Sequence, residues 1–133
     1  IIVSNATLAE YIEFAKKLVE VSKQLNKKII VIASSDFTHY GSFYGFLPFT
    51  TDIKEHLYRL DQEAIKLIST FKTKEFFEYA KNITICGIAP IVVCIEACKL
   101  LGATKATLLR YYTSGDVIDD YTNVVGYASI IFE

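Results

Sequence analysis

The chain has 133 residues, 52% of them hydrophobic and 14% aromatic, enough for one compact domain with a sizeable core. Its formal net charge of -1, with acids and bases interspersed, argues against a nucleic-acid stripe or a polybasic membrane patch, so neither is an expected partner. The longest apolar run, Ile83 to Ile95, falls short of the ~20 residues that span a bilayer, and Glu96 and Lys99 interrupt its continuation.

The chain opens Ile-Ile-Val, holds no methionine and lacks the basic flank of a signal peptide, so it reads as part of a longer protein. No repeat, low-complexity tract or Pro/Gly-rich linker divides it, and residues 1–133 are expected to form a single unit. Thr7-Leu8-Ala9-Glu10 has capping-box spacing, and Leu8, Tyr11, Ile12, Ala15, Leu18, Val19 and Leu25 follow at helical steps. An amphipathic helix over Thr7 to Leu25 is predicted. The run Ile29 to Ile32 shows no alternation, so it is expected to be a strand covered on both faces, as parallel strands are.

Gly41, Gly45 and Pro48 forbid regular structure until Asp52 opens a second amphipathic helix carrying Ile53, Leu57, Leu60, Ala64, Leu67 and Ile68. Thr73 is read as the cap of a short third helix through Phe76, Phe77 and Ala80. Pro90 suits the first turn of a fourth, which runs through Val93, Ala97 and Leu100 to a stop at Gly102. Thr104 to Tyr112 and Val124 to Phe132 are strand candidates and neighbours in the sheet, joined by a polar loop over Thr113 to Asn123. The fold class is α/β, a mostly parallel sheet flanked by helices.

Three segments at element ends can carry chemistry. The first is Ala33-Ser34-Ser35-Asp36-Phe37-Thr38-His39-Tyr40-Gly41, where a neutral imidazole stands three residues after a carboxylate. His39 could take or give a proton, with Asp36 or a backbone carbonyl setting its tautomer; the plainer alternative is a turn histidine that satisfies loop backbone. His56, on a helix face without a polar cluster, is read as structural or solvated. The second segment is Thr84-Ile85-Cys86-Gly87, just before the fourth helix, where a helix N-terminus favours the thiolate. Cys94 and Cys98 lie within that helix and are read as packing residues. Because the three cysteines form no C-x-x-C pair, free thiols in a reducing cytoplasm fit better than a disulfide framework. The third segment is Tyr112-Thr113-Ser114-Gly115-Asp116, which either lines a cleft or forms an ordinary turn.

In this order and spacing, the three segments together resemble the C-terminal half of the Memo-like proteins, and the resemblance spans essentially the whole chain. It implies a LigB/Memo-like fold related to the class III extradiol ring-cleaving dioxygenases, of which this chain would be the C-terminal half. It also implies that His39 is an acid or base beside a metal and that Cys86 is a metal ligand, completed by histidines of the N-terminal half. Asp36 joins His39 as a catalytic residue, and Ser34, Ser35, Thr113, Ser114 and Asp116 shape the substrate pocket.

A cysteine where the ring-cleaving enzymes use a carboxylate softens the site, so iron or copper is the cofactor expected in the intact protein. None is expected in this fragment, where one thiolate and one histidine cannot complete a coordination shell. The expected partners are the N-terminal half of the same domain, a protein or small molecule, and a second copy of the chain. Family membership does not by itself imply dioxygenase activity. The resemblance accommodates two roles: a cytoplasmic, metal-dependent oxidoreductase-like protein associated with AMMECR-like proteins, or a non-catalytic interaction or peptide-binding protein that uses a vestigial pocket.

Overall fold

The computed structural model describes residues 1 and 3–133; of the opening Ile1-Ile2-Val3, Ile2 lies outside the described residues. The capping box that was read from Thr7 and Glu10 forms, with the Thr7 N–H donating to Glu10 Oε2 at 2.7 Å and the Glu10 N–H returning to Thr7 Oγ1 at 3.3 Å. Helix α1, Leu8–Gln24, follows from it and buries Tyr11, Ala15 and Val19. Strand β1, His39–Gly41, is short, and a single 3-10 turn over Ser42–Tyr44 comes next. Helices α2 (Ile53–Ser69), α3 (Thr73–Ala80) and α4 (Ile88–Leu100) stand where the periodicity put them.

Two readings of this region change. Thr73 does not cap α3; its hydroxyl is bonded to Glu96 and receives the Lys99 ammonium at 2.8 Å, tying α3 to α4. The span read as one polar loop contains a short helix α5, Ser114–Ile118, because Thr113 and Asp116 close a second capping box.

Strands β2 (Ala106–Thr113) and β3 (Asn123–Phe132) are neighbours as expected, and the sheet order is β1-β3-β2. The sheet expected to be mostly parallel is instead antiparallel in both of its pairings. The physical reason is that the connection through α5 turns the chain straight back on itself, whereas parallel neighbours need a crossover of a dozen or more residues. Ile29–Ile32, the run read as a parallel strand, has no strand partner among the described residues. Nor is it covered on both faces: Val31 packs on the core, while Ile30 and Ile32 are 90% and 85% exposed.

The core lies between the helices and one face of this sheet. Helix α4 is its centre and is apolar over most of its surface, with Ile91, Val92, Val93, Cys94, Ile95 and Ala97 all buried. Cys94 therefore packs as read from the sequence, and Cys98 is half-buried beside it. A smaller cluster of Tyr40, Leu57 and Val124 joins β1, α2 and β3 near the His39 loop.

One charged side chain is enclosed completely. Asp61 on α2 is fully buried, and its Oδ1 accepts the Thr38 N–H at 3.2 Å and the Thr38 hydroxyl at 2.6 Å, while Oδ2 accepts the Tyr111 hydroxyl at 2.7 Å. Burial pushes the carboxyl above its ordinary value, against the lowering effect of these donors. A Cβ at residue 126 would collide with Oδ2 and press on the Tyr111 hydroxyl, so Gly126 is the residue that lets β3 pass this carboxylate.

Removing the carboxylate leaves buried donors on both neighbours unmatched. Asp61→Ala is expected to lower the unfolding free energy by about 3 kcal/mol, and Tyr111→Phe by about 1 kcal/mol. Urea denaturation followed by circular dichroism measures both; a loss below about 1 kcal/mol for Asp61→Ala would show that these bonds contribute little.

Candidate functional site

Just below Asp61, Thr38 hands the chain on to His39, and the loop before it faces the start of α4. Three donor groups converge there. One ligand atom each from Asp36, His39 and Cys86 lies within 4.8 Å of the other two, although the loops that carry them are some 50 residues apart. The sequence reading assigned all three to one site, and the structure brings them together.

His39 is held from its backbone outward. Its N–H donates to Thr84 Oγ1 at 2.9 Å, the Thr84 hydroxyl donates back to the His39 carbonyl at 2.6 Å, and ring Nδ1 lies 2.7 Å from the Thr84 carbonyl oxygen. A carbonyl only accepts, so Nδ1 carries the proton in the neutral ring and Nε2 keeps its lone pair. That lone pair faces the cluster, 3.7 Å from Asp36 Oδ2. Tyr44 packs edge-on against the imidazole with centroids 5.0 Å apart, fixing the ring plane.

Cys86 precedes Gly87, the N-cap of α4, and is exposed. Its Sγ accepts the Asp36 N–H at 3.3 Å. Ser35 closes the pairing of the loops, donating to the Asp36 carbonyl at 2.7 Å and accepting the Gly87 N–H at 2.9 Å. A side chain at residue 87 would overlap Ser35, so this close approach requires glycine. Ser34 is exposed, and its carbonyl oxygen lies against the same glycine.

The third segment is placed differently. Thr113 is fully buried, and the Ser114 hydroxyl accepts the Val125 N–H at 3.0 Å, steadying the β3 residue paired with His39. Asp116 belongs to a separate polar cluster: Lys54 at 2.7 Å, the Tyr58 hydroxyl at 2.7 Å and the Tyr121 hydroxyl at 2.6 Å all point at its carboxylate. Partial burial would raise the Asp116 carboxyl, but bonds from Lys54, Tyr121 and Tyr58 outweigh it and hold the group well below its ordinary range. Asp116 in turn holds the Lys54 ammonium in its charged form, and Tyr58 is pushed up to about 12 by burial and by its bond to Asp116.

The family profile described as Memo-like protein matches residues 1–131. The chain belongs to the Memo-like family.

Relatives of the Memo-like chain include a MEMO1 family protein of Methanococcus vannielii, 43% identical over 116 residues, which are 86% of this chain and 37% of the relative. Another, from Methanocaldococcus jannaschii, is 41% identical over 124 residues, 92% of this chain and 39% of the relative. A third, from Methanosarcina mazei, is 37% identical over 124 residues and covers 42% of its own length. The Memo-like chain thus spans about two fifths of the length of these relatives.

Several residues around the site went unassigned in the sequence reading. Thr84 lies inside the motif that flagged Cys86, but nothing in its spacing shows that it clamps His39. Tyr127 stacks obliquely with Tyr112 at 5.4 Å; burial, then the Asp36 charge, push its hydroxyl above its ordinary value. Asp61 did carry a signal, since it continues the apolar face Leu57, Ala64, Ile68 at helical spacing.

The Asp116 cluster has a predictable pH dependence. Its carboxyl is lowered in the folded state, so its contribution to stability is complete above its ordinary value of 3.8 and is lost as pH falls below that value. The thermal stability gap between the native chain and Asp116→Asn is therefore expected to be constant down to about pH 5 and to shrink progressively as pH falls below about 4. A gap that persists unchanged at low pH would contradict this assignment.

Proposed function

We propose that Asp36, His39 and Cys86 form one wall of a metal-binding, redox-active pocket, and that the intact protein is a metal-dependent oxidoreductase-like member of the Memo-like family. The observation that carries this reading is the convergence of imidazole, carboxylate and thiol donor atoms within 4.8 Å, with the histidine tautomer set by a backbone carbonyl. Such a donor set fits a soft or borderline metal such as iron or copper, with Cys86 as the thiolate ligand and the remaining ligands supplied from outside this chain. When bound, the metal supplies Lewis-acid or one-electron chemistry.

This chain's own residues do the rest. His39 Nε2 has the free lone pair needed to accept a proton from a substrate hydroxyl and return it later, and Thr84 holds the ring so that this atom faces the cluster. Asp36, 3.7 Å from Nε2, stabilises the imidazolium that forms. Ser34 and Ser35 are assigned to the approach, where Ser35 bonds the Asp36 carbonyl and the Gly87 N–H, and Ser114 steadies the opposing strand through Val125. Completed by an N-terminal half, the whole is read as LigB-like. Its three unpaired thiols suit a cytoplasmic setting, and no helix among the described residues is long and apolar enough to cross a membrane.

Metal content and oxygen consumption of the intact protein test this. Cys86→Ser is expected to lower metal occupancy at least about tenfold. His39→Ala is expected to keep the metal but to lose about 100-fold or more in turnover. If neither substitution lowers occupancy or turnover, the reading fails. The 133-residue chain alone is expected to retain no stoichiometric metal.

A further inference from the structure

Between the run Ile29–Ala33 and the second half of β3 the structure opens a cleft of about 640 Å³, floored by Ile68, Ile91, Cys94 and Cys98. One long rim is the second half of strand β3, and the other is the run 29–33, which forms neither helix nor turn. On one side, residues 28–36 make no backbone–backbone hydrogen bond to any described residue, although Cys94 Sγ reaches the Val31 carbonyl oxygen at 3.8 Å from the floor.

The other rim follows from strand alternation. Gly126 exchanges hydrogen bonds with Phe37 and Thr38 on the β1 side, while Glu133 bonds Lys105 on the β2 side. Every second residue of a strand points its N–H and C=O the same way, so Ala128, Ile130 and Phe132 aim theirs into the cleft, where no described backbone group meets them. Downstream of Ala33 the same two segments come together and pair as β1 and β3. The cleft is therefore a split in a ladder, with an open edge on each side and an apolar floor.

Open edges of this kind are templates for another strand. We propose that the cleft is a strand slot, filled by an extended apolar segment from the part of a Memo-like protein that lies outside these residues. Three observations select this occupant. The relatives are more than twice as long as the stretch matched here, so ample chain exists to supply it. The rims are backbone and the floor is apolar, which suits a β-branched or aromatic strand and not a charged ligand. Ile30 and Ile32 on the outer side are 90% and 85% exposed, as expected where neighbouring structure lies outside this chain.

The two rims run antiparallel to each other, so the occupant lies parallel to one and antiparallel to the other. The resulting sheet is mixed. This inference stands apart from the metal reading, since no cluster residue except the neighbouring loop backbone takes part in it.

The test co-expresses this chain with the portion of the Methanocaldococcus jannaschii relative that it does not match, and measures amide hydrogen exchange on the isolated complex. Residues 29–33 and the slot-facing amides of Ala128, Ile130 and Phe132 are expected to exchange at least about tenfold more slowly than an unstructured peptide of the same sequence. Ile130→Pro deletes an N–H aimed at the slot and none aimed at β2, and is expected to weaken the complex at least about tenfold with helix content unchanged.

Peptide-like exchange at either rim within the complex would overturn the proposal, as would unchanged affinity of Ile130→Pro. It is equally overturned if no complex forms, whether the rims stay unprotected or become protected only in a self-associated form, the outcome that would assign the slot to a second copy.

Discussion

The arrangement of this chain depends on one buried carboxylate. Asp61 has no cationic partner; its charge is met by the Thr38 N–H, the Thr38 hydroxyl and the Tyr111 hydroxyl. A buried charge is tolerated only when its lone pairs are matched, so these donors must sit where they do. Helix α2, the segment leading into His39 and strand β2 are thereby tied at a single point, and β3 passes it only because residue 126 has no side chain. The position of the His39 loop is a consequence of that junction.

From this fixed point the site is assembled by short-range contacts between two loops. Thr84 binds His39 through backbone, hydroxyl and ring, and Ser35 binds the first residue of the α4 entry, so the imidazole and the thiol have little freedom relative to each other. Pre-positioning of this kind is what proton transfer and metal binding both require. The Asp116 cluster serves a different purpose. Its carboxylate gathers Lys54, Tyr58 and Tyr121 around the start of α5, which fixes the turn between β2 and β3 and, through Ser114, the strand opposite His39.

The unfinished side of the molecule is as informative as the finished one. Ile30 and Ile32, in the unpaired run before the His39 loop, and Leu109 on β2 are apolar side chains left in solvent. The same region carries the split ladder. Both features agree with a chain that spans about two fifths of its relatives' length.

The local elements were legible in the sequence because they rest on short-range physics. Thr7 and Glu10 announce α1, apolar periodicity marks α2 to α4, and alternation with β-branched residues marks β2 and β3. The grouping of Asp36, His39 and Cys86 was also legible, through the ordered motifs that carry them. What the sequence could not determine is pairing. A non-alternating run such as Ile29 to Ile32 suggests a strand covered on both faces, yet it pairs with no strand among the described residues and leaves Ile30 and Ile32 exposed. Likewise Asp61 differs from a solvated helix carboxylate only by its phase on the apolar face, and Thr84 from any other threonine only by the carbonyl it brings to His39. Those distinctions arise from contacts between residues far apart in sequence, so only the tertiary structure decided them.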